Sequence, residues 1–211
     1  MTQTQPTGAL DVSPVIPVVV IEDAGTAVPL ARAFAAGGVR VVEVTLRSAA
    51  ALDAIERIAT EVPDVLVGAG TLTTPEQVKD AVGAGARFLV SPGSTPTLLD
   101  AMADTGLPYL PGVSTASEVL ALLERGITEM KFFPAEAAGG HGFLKSLAGP
   151  LPQARFCPTG GITPLNAPDY LALPTVGCVG GSWLSPADAI ATGDWTCVTQ
   201  LATQAASLGL R

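Results

Sequence analysis

A single-domain parallel (β/α)8 barrel, the TIM-barrel architecture, is the fold this sequence predicts, on three observations. Short β-branched or apolar runs recur about every 20 to 26 residues, eight in all; alanine- and leucine-rich stretches of helical period separate them; and no break in composition divides the 211 residues. The barrel takes the whole chain, 1–211, as one domain, with 1–13 read as a poorly ordered or peripheral N-terminal segment. An open doubly wound sheet is the alternative. That fold usually carries a glycine fingerprint after its first strand, and IEDAGTAVP has none.

The expected strands, in order, are VIPVVVI from Val15, VVEVTL from Val41, VLVGAG from Val65 and RFLVSP from Arg87. PYLPGV from Pro108, EMKFFP from Glu129, RFCPTGG from Arg155 and TVGCVGG from Thr175 complete the set. Helical period is clearest in SAAALDAIERIATEV from Ser48 and TASEVLALLERG from Thr115. Four helices are expected to open with a hydroxyl cap and proline in the first turn, at Thr74-Pro75, Thr95-Pro96, Thr163-Pro164 and Ser185-Pro186. Thr115 with Glu118, and Thr74 with Gln77, have capping-box spacing. Gly37, Gly85 and Gly126 are read as helix ends.

Composition removes several classes of function. With 48% apolar and 14% charged residues the chain is built for burial rather than disorder. A net charge of -8 argues against nucleic acid or an anionic membrane as partner, since both attract basic surfaces. MTQTQPTGALDV lacks the basic and apolar regions of a secretion signal, and no apolar run approaches the roughly 20 residues that span a bilayer, so a cytoplasmic location is expected. Cys157, Cys178 and Cys197 are odd in number and lack metal-ligand spacing, so they read as buried free thiols. His141, the lone histidine, reads as a solvent-exposed loop residue in GGHG, too little for a histidine-rich metal site.

In a barrel, chemistry gathers at the C-terminal ends of strands. Strand period puts Glu43, Thr45 and Arg47 on one face of VVEVTLR, where branched aliphatics normally point inward. A structural ion pair at the barrel end would explain them as well. Lys79 and Lys145 fall on helical faces, whereas Lys131 lies in a strand that should be buried, where an unpaired ammonium is costly. Either a carboxylate such as Glu43 neutralises Lys131, or Lys131 is an imine-forming nucleophile whose charge Phe132 and Phe133 disfavour by desolvation. At the ordinary lysine pKa of about 10.4 only about one side chain in 2,500 is neutral at pH 7; a downward shift of about three units makes roughly a quarter neutral. Burial favours that shift, and an ionised Glu43 opposes it, so the two are expected to titrate as a pair.

Glycine-rich strand ends supply the remaining candidates. GAGT, Gly68 to Thr71, offers amide and hydroxyl donors; PTGG, ending in Gly160 and Gly161, and VGGSW, with Gly180, Gly181 and Ser182, end the seventh and eighth strands, where barrels bind phosphate. Tight turns account for each pair alone. Trp183 reads as packing beside the cradle.

Taken in order, GGVRVVEVTLR, VGAGT, SPG, KFFPAE, RFCPTGGI and GGSWL resemble the 2-keto-3-deoxy-6-phosphogluconate (KDPG) aldolases, class I enzymes also active on 4-hydroxy-2-oxoglutarate (KHG). The resemblance runs from Pro14 to about Ala202. It implies that Lys131 is the Schiff-base lysine and Glu43 the general acid/base. It implies that Arg47 and Thr71 hold the pyruvate end, that Pro92, Phe133 and Thr159 line the pocket, and that Gly160, Gly161, Gly180, Gly181 and Ser182 bind phosphate. It also implies pyruvate and a phosphorylated keto acid as ligands, no cofactor or metal, a homotrimer, and a place in Entner-Doudoroff carbohydrate metabolism. Glu22 and Asp23 stand where some relatives carry basic residues, which implies weaker steering of a phosphorylated substrate, and the GGHGFLK segment departs from relatives. Alternatives are a phosphosugar isomerase or epimerase without an imine, a related 2-keto-3-deoxy-6-phosphogalactonate aldolase, a metal-dependent aldolase, and a catalytically silent barrel that binds phosphorylated metabolites.

Overall fold

The computed structural model describes residues 9–208. Among them are nine strands: β1 (Val15–Val19), β2 (Val41–Thr45), β3 (Leu66–Gly70), β4 (Leu89–Val90), β5 (Tyr109–Leu110), β6 (Gly112–Val113), β7 (Glu129–Phe132), β8 (Arg155–Pro158) and β9 (Val179–Gly181). All their pairings are parallel. One sheet runs β5-β4-β3-β2-β1-β9 and a second runs β6-β7-β8. This is a parallel α/β fold in half-barrel form.

The fifth expected strand is divided, and Pro111 is the reason. It falls between β5 and β6 with no amide hydrogen to give the ladder, although its carbonyl still accepts from the Lys131 amide at 3.0 Å. At the other edge of the second sheet, isolated parallel bridges join Phe156 of β8 to Val176, ahead of β9, and Thr159, just after β8, to Gly180 of β9. Every residue of β2 is buried, as expected of a parallel strand covered on both faces.

The helices are α1 (Ala27–Ala36), α2 (Ala51–Glu61), α3 (Pro75–Gly83), α4 (Pro96–Ala103), α5 (Ala116–Glu124), α6 (Gly140–Ala148), α7 (Ala167–Leu171), α8 (Ala187–Thr192) and α9 (Trp195–Ser207). Thr74, Thr95 and Thr115 cap α3, α4 and α5 as the sequence predicts, and Thr115 with Glu118 completes a capping box. Gln77 differs: its side chain accepts from Thr73, not from the cap residue. Two expected starts are corrected. Thr163-Pro164 opens a turn in which Asn166 accepts from the Thr163 amide at 2.7 Å, and Asn166 is the cap of α7. At Ser185-Pro186 the proline itself is the cap of α8. Gly85 and Gly126 adopt the left-handed conformation at helix ends, whereas after α1 Gly38 does so instead of Gly37.

Phe34, Phe88, Phe132, Phe156 and Tyr170 are among the largest fully buried side chains, each aromatic ring stabilising the fold by about 1.5–3 kcal/mol through burial. Cys157 and Cys178 are buried, but Cys197 on α9 is only half-buried, against the expectation for all three thiols. Residues 1–8 of the expected peripheral segment lie outside the described residues. From Leu10 onward that segment is integrated: Leu10 is buried, and Asp11 pairs with Arg155 at 2.7 Å, which in turn pairs with Glu129 at 2.8 Å.

Candidate active site

Glu43 stands at the middle of β2 and Lys131 in β7, and both point into the interior, where they are 3% and 5% exposed. The Lys131 Nζ donates to Glu43 Oε1 at 3.2 Å. The other ion pairs among the described residues are exposed or partly exposed, so this one alone is sealed from solvent. A buried pair gains little over an apolar substitute, but removing one partner costs about 3–5 kcal/mol because the other charge is stranded.

The pair is held by its surroundings. Gly70, the β3 residue in register with Thr45, leaves the space that the Glu43 carboxyl occupies: a Cβ there would lie 2.6 Å from Glu43 Cδ and closer still to Oε1. Gly70→Ala should therefore displace the carboxyl and lower turnover by roughly tenfold or more, measured beside a thermal melt. Lys131 is in register with Gly112 on one side and Cys157 on the other. Gly112 has no side chain because the Pro92 carbonyl occupies that space.

Only one of the two phenylalanines after Lys131 serves it. The Phe133 ring centroid lies 5.3 Å from Nζ, near enough for a cation–π contact. Phe132 alternates to the opposite face and stacks on Phe143 of α6 at 5.5 Å, so its expected part in desolvating the lysine is corrected to core packing.

A cavity of about 370 Å³ opens beside the pair. Of the expected site residues its wall contains Arg47, Phe133, Thr159, Gly160, Gly161, Gly180, Gly181 and Ser182. It reaches the residues that flank the pair, Thr45 and Phe133, while Glu43, Lys131, Thr71 and Pro92 are not part of the wall. Thr71 follows β3 with φ 62°, a left-handed conformation that costs a β-branched residue energy and marks a constrained position. Arg47 is exposed at the mouth, and among the described residues no carboxylate pairs with it. Gly160 and Gly161 have φ 99° and 80°, and a Cβ on Gly180 would meet Thr159.

Thr45 is buried at the end of β2 on the face it shares with Glu43, and the alternation alone gives it no role. Its hydroxyl donates to the Val19 carbonyl at 3.0 Å, pinning β2 to β1 between the ion pair and the cavity. Ser185 and Ile162 also line the wall, and only their nearness to the glycine pairs in sequence hinted at it. His141 is exposed, but in the first turn of α6 rather than a loop, with its ring edge-on to Tyr170 at 5.9 Å. Among the described residues no three His, Cys, Asp or Glu side chains cluster as metal ligands would.

Residues 8–201 match the family model described as KDPG and KHG aldolase. The chain is 55% identical over 192 residues to the 2-dehydro-3-deoxy-phosphogluconate aldolase of Pseudoalteromonas atlantica, covering 91% of this chain and 89% of that one. It is 52% identical over 203 residues to the KHG/KDPG aldolase of Escherichia coli K12, covering 96% and 95%. It superposes with a TM-score of 0.93 on the crystal structure of KDPG aldolase from Legionella pneumophila, at 49% identity and covering 97% and 99% of the two chains. In that crystal pyruvate was captured at low pH as a covalent carbinolamine intermediate.

Proposed function

This chain belongs to the KDPG and KHG aldolase family, and from that premise we propose that Lys131 and Glu43 carry out a class I aldol cleavage in it. The enzyme is a carbon–carbon lyase that cleaves 2-keto-3-deoxy-6-phosphogluconate to pyruvate and glyceraldehyde 3-phosphate, the aldol step of the Entner-Doudoroff pathway. Cleavage of 4-hydroxy-2-oxoglutarate to pyruvate and glyoxylate is the second activity we assign. The observation that carries the residue assignment is the sealed Lys131–Glu43 pair at the edge of the cavity.

The ammonium proton passes along the 3.2 Å hydrogen bond to Glu43, leaving an amine that attacks the C2 ketone. Glu43 returns that proton to the departing hydroxyl as the carbinolamine loses water, which gives a protonated imine, an electron sink, and leaves Glu43 a carboxylate again. Glu43, directly or through a water, takes the C4 hydroxyl proton; the C3–C4 bond breaks, the aldehyde leaves, and its electrons remain as an enamine. Protonation at C3 and hydrolysis of the imine then release pyruvate and restore Lys131.

Arg47, which has no carboxylate partner among the described residues, holds the substrate carboxylate with Thr71, while Pro92, Phe133 and Thr159 shape the pocket around C2 to C4. Gly160, Gly161, Gly180, Gly181 and Ser182 form the cradle for the phosphate at the other end. Arg47→Lys keeps the charge but loses the planar fork, so KM should rise about tenfold with a smaller change in kcat, as read by steady-state kinetics.

We read the half-barrel and the three-stranded sheet as one eight-stranded barrel interrupted at Pro111, a single domain spanning the chain, supported by the bridges from Phe156 to Val176 and from Thr159 to Gly180. The family resemblance supports a homotrimer, for which light scattering should give about three times the 21.3 kDa chain mass. Among the described residues no helix is long and apolar enough to cross a membrane. A cytoplasmic location is the assignment that fits a metabolic aldolase. A coupled assay of pyruvate release tests the activity. Cleavage of both keto acids, unchanged by EDTA, is expected; loss of activity with EDTA, or no release of pyruvate, would contradict the imine mechanism.

A further inference from the structure

The segment that carries Lys131 also builds the back of the phosphate cradle. The Ala135 amide donates to the Thr159 carbonyl at 2.8 Å and the Glu136 amide to the Gly160 carbonyl at 3.1 Å. Gly160 and Gly161 turn with positive φ, and a Cβ on Gly161 would lie 2.6 Å from Glu136 Cγ and 2.8 Å from its Cβ. The aliphatic stem of Glu136 therefore fills the space behind the turn. Its carboxylate does not swing free, because the hydroxyl of Tyr170 donates to Oε1. Tyr170 is fully buried in α7 and is met edge-on by His141 from α6. Burial, and then the bond to Glu136, raise the Tyr170 hydroxyl above its ordinary range, so it stays protonated and remains a donor at neutral pH.

We infer that the Tyr170–Glu136 contact is a strut that fixes the Gly160–Gly161 turn and keeps the Glu136 charge behind it, making both positioning residues for the phosphorylated end of the substrate. The inference rests on the aldolase reading above. It ties the residues that follow β7, Ala135 and Glu136, to the cradle after β8, and so acts on the phosphate end rather than on Lys131 itself. A substrate with a phosphate feels the strut. A substrate without one, 4-hydroxy-2-oxoglutarate, does not.

Steady-state kinetics of Tyr170→Phe, Glu136→Ala and Glu136→Gln on both substrates tests this. Tyr170→Phe and Glu136→Ala should raise KM for 2-keto-3-deoxy-6-phosphogluconate about tenfold, the scale of one hydrogen bond to a charged group, with kcat within about twofold. On 4-hydroxy-2-oxoglutarate kcat/KM should stay within about twofold, and Glu136→Gln, which keeps the stem and an acceptor, should recover most of the lost affinity. Equal losses on both substrates, or no change on either, overturn the inference. If melting shows Tyr170→Phe unfolded, the two variants of exposed Glu136 decide alone. A wild type that cleaves neither substrate overturns the aldolase reading and this inference with it, whereas an active wild type with substrate-blind variants overturns only the inference.

Discussion

Lys131→Ala should reduce cleavage of 2-keto-3-deoxy-6-phosphogluconate by about 10⁴-fold or more, the scale on which loss of a covalent nucleophile is felt. No other lysine can replace it: Lys79 lies on α3 and Lys145 on α6, both exposed. The same change strands the Glu43 carboxylate at 3% exposure, so the fold should lose about 3–5 kcal/mol. That is a large part of the roughly 5–15 kcal/mol that holds a domain together. Activity must therefore be read on protein shown to be folded. Lys131→Met combined with Glu43→Gln removes both charges and should regain most of the stability while remaining inactive. Near-normal turnover by folded Lys131→Ala would end the mechanism.

Glu43→Gln should lower kcat by about 10²–10⁴-fold, the usual contribution of a positioned acid or base. The amide fits the space left by Gly70, so the loss reports proton transfer and not collapse of the site. Two further readings separate this from loss of the nucleophile. Pyruvate should still form an imine with Glu43→Gln, more slowly, and the pH–rate profile should change shape because the pair no longer exchanges a proton. A kcat within tenfold of wild type, with an unchanged profile, would remove Glu43 from the mechanism.

Both halves of this pair were legible in the sequence for a simple reason. A charge in a strand that must be buried is expensive, and period two tells which strand residues share a face, so Lys131 and Glu43 stand out in the sequence. The same period should have separated Phe132 from Phe133, but KFFPAE gives them the same chemistry, and only the stack on Phe143 shows which one turns outward. Helix starts were legible where the hydroxyl bonds a nearby amide, as at Thr74, Thr95 and Thr115. At Thr163 the hydroxyl also accepts from the Asn166 amide, at 3.4 Å, and Asn166 accepts in return from the Thr163 amide, but that reciprocal pair closes a turn and the helix begins only after Asn166.

What stayed hidden depends on residues far apart in the chain. Gly70 looks like any strand-end glycine until the Glu43 carboxyl is seen in the space its missing side chain leaves. Tyr170 looks like core, and Glu136 like a surface acid, until their hydrogen bond joins them behind Gly161. The split at Pro111 was visible as a proline within an expected strand, though periodicity alone carried the run through it.

The most direct test of the central claim is to incubate the protein with pyruvate, reduce it with borohydride and map the modified peptide by mass. Reduction traps an imine as a stable secondary amine and leaves free pyruvate unattached. One pyruvate-derived group per chain is expected, on Lys131 in the peptide containing EMKFFPAE, together with loss of activity. No adduct, or an adduct on Lys79 or Lys145 with activity retained, would contradict it.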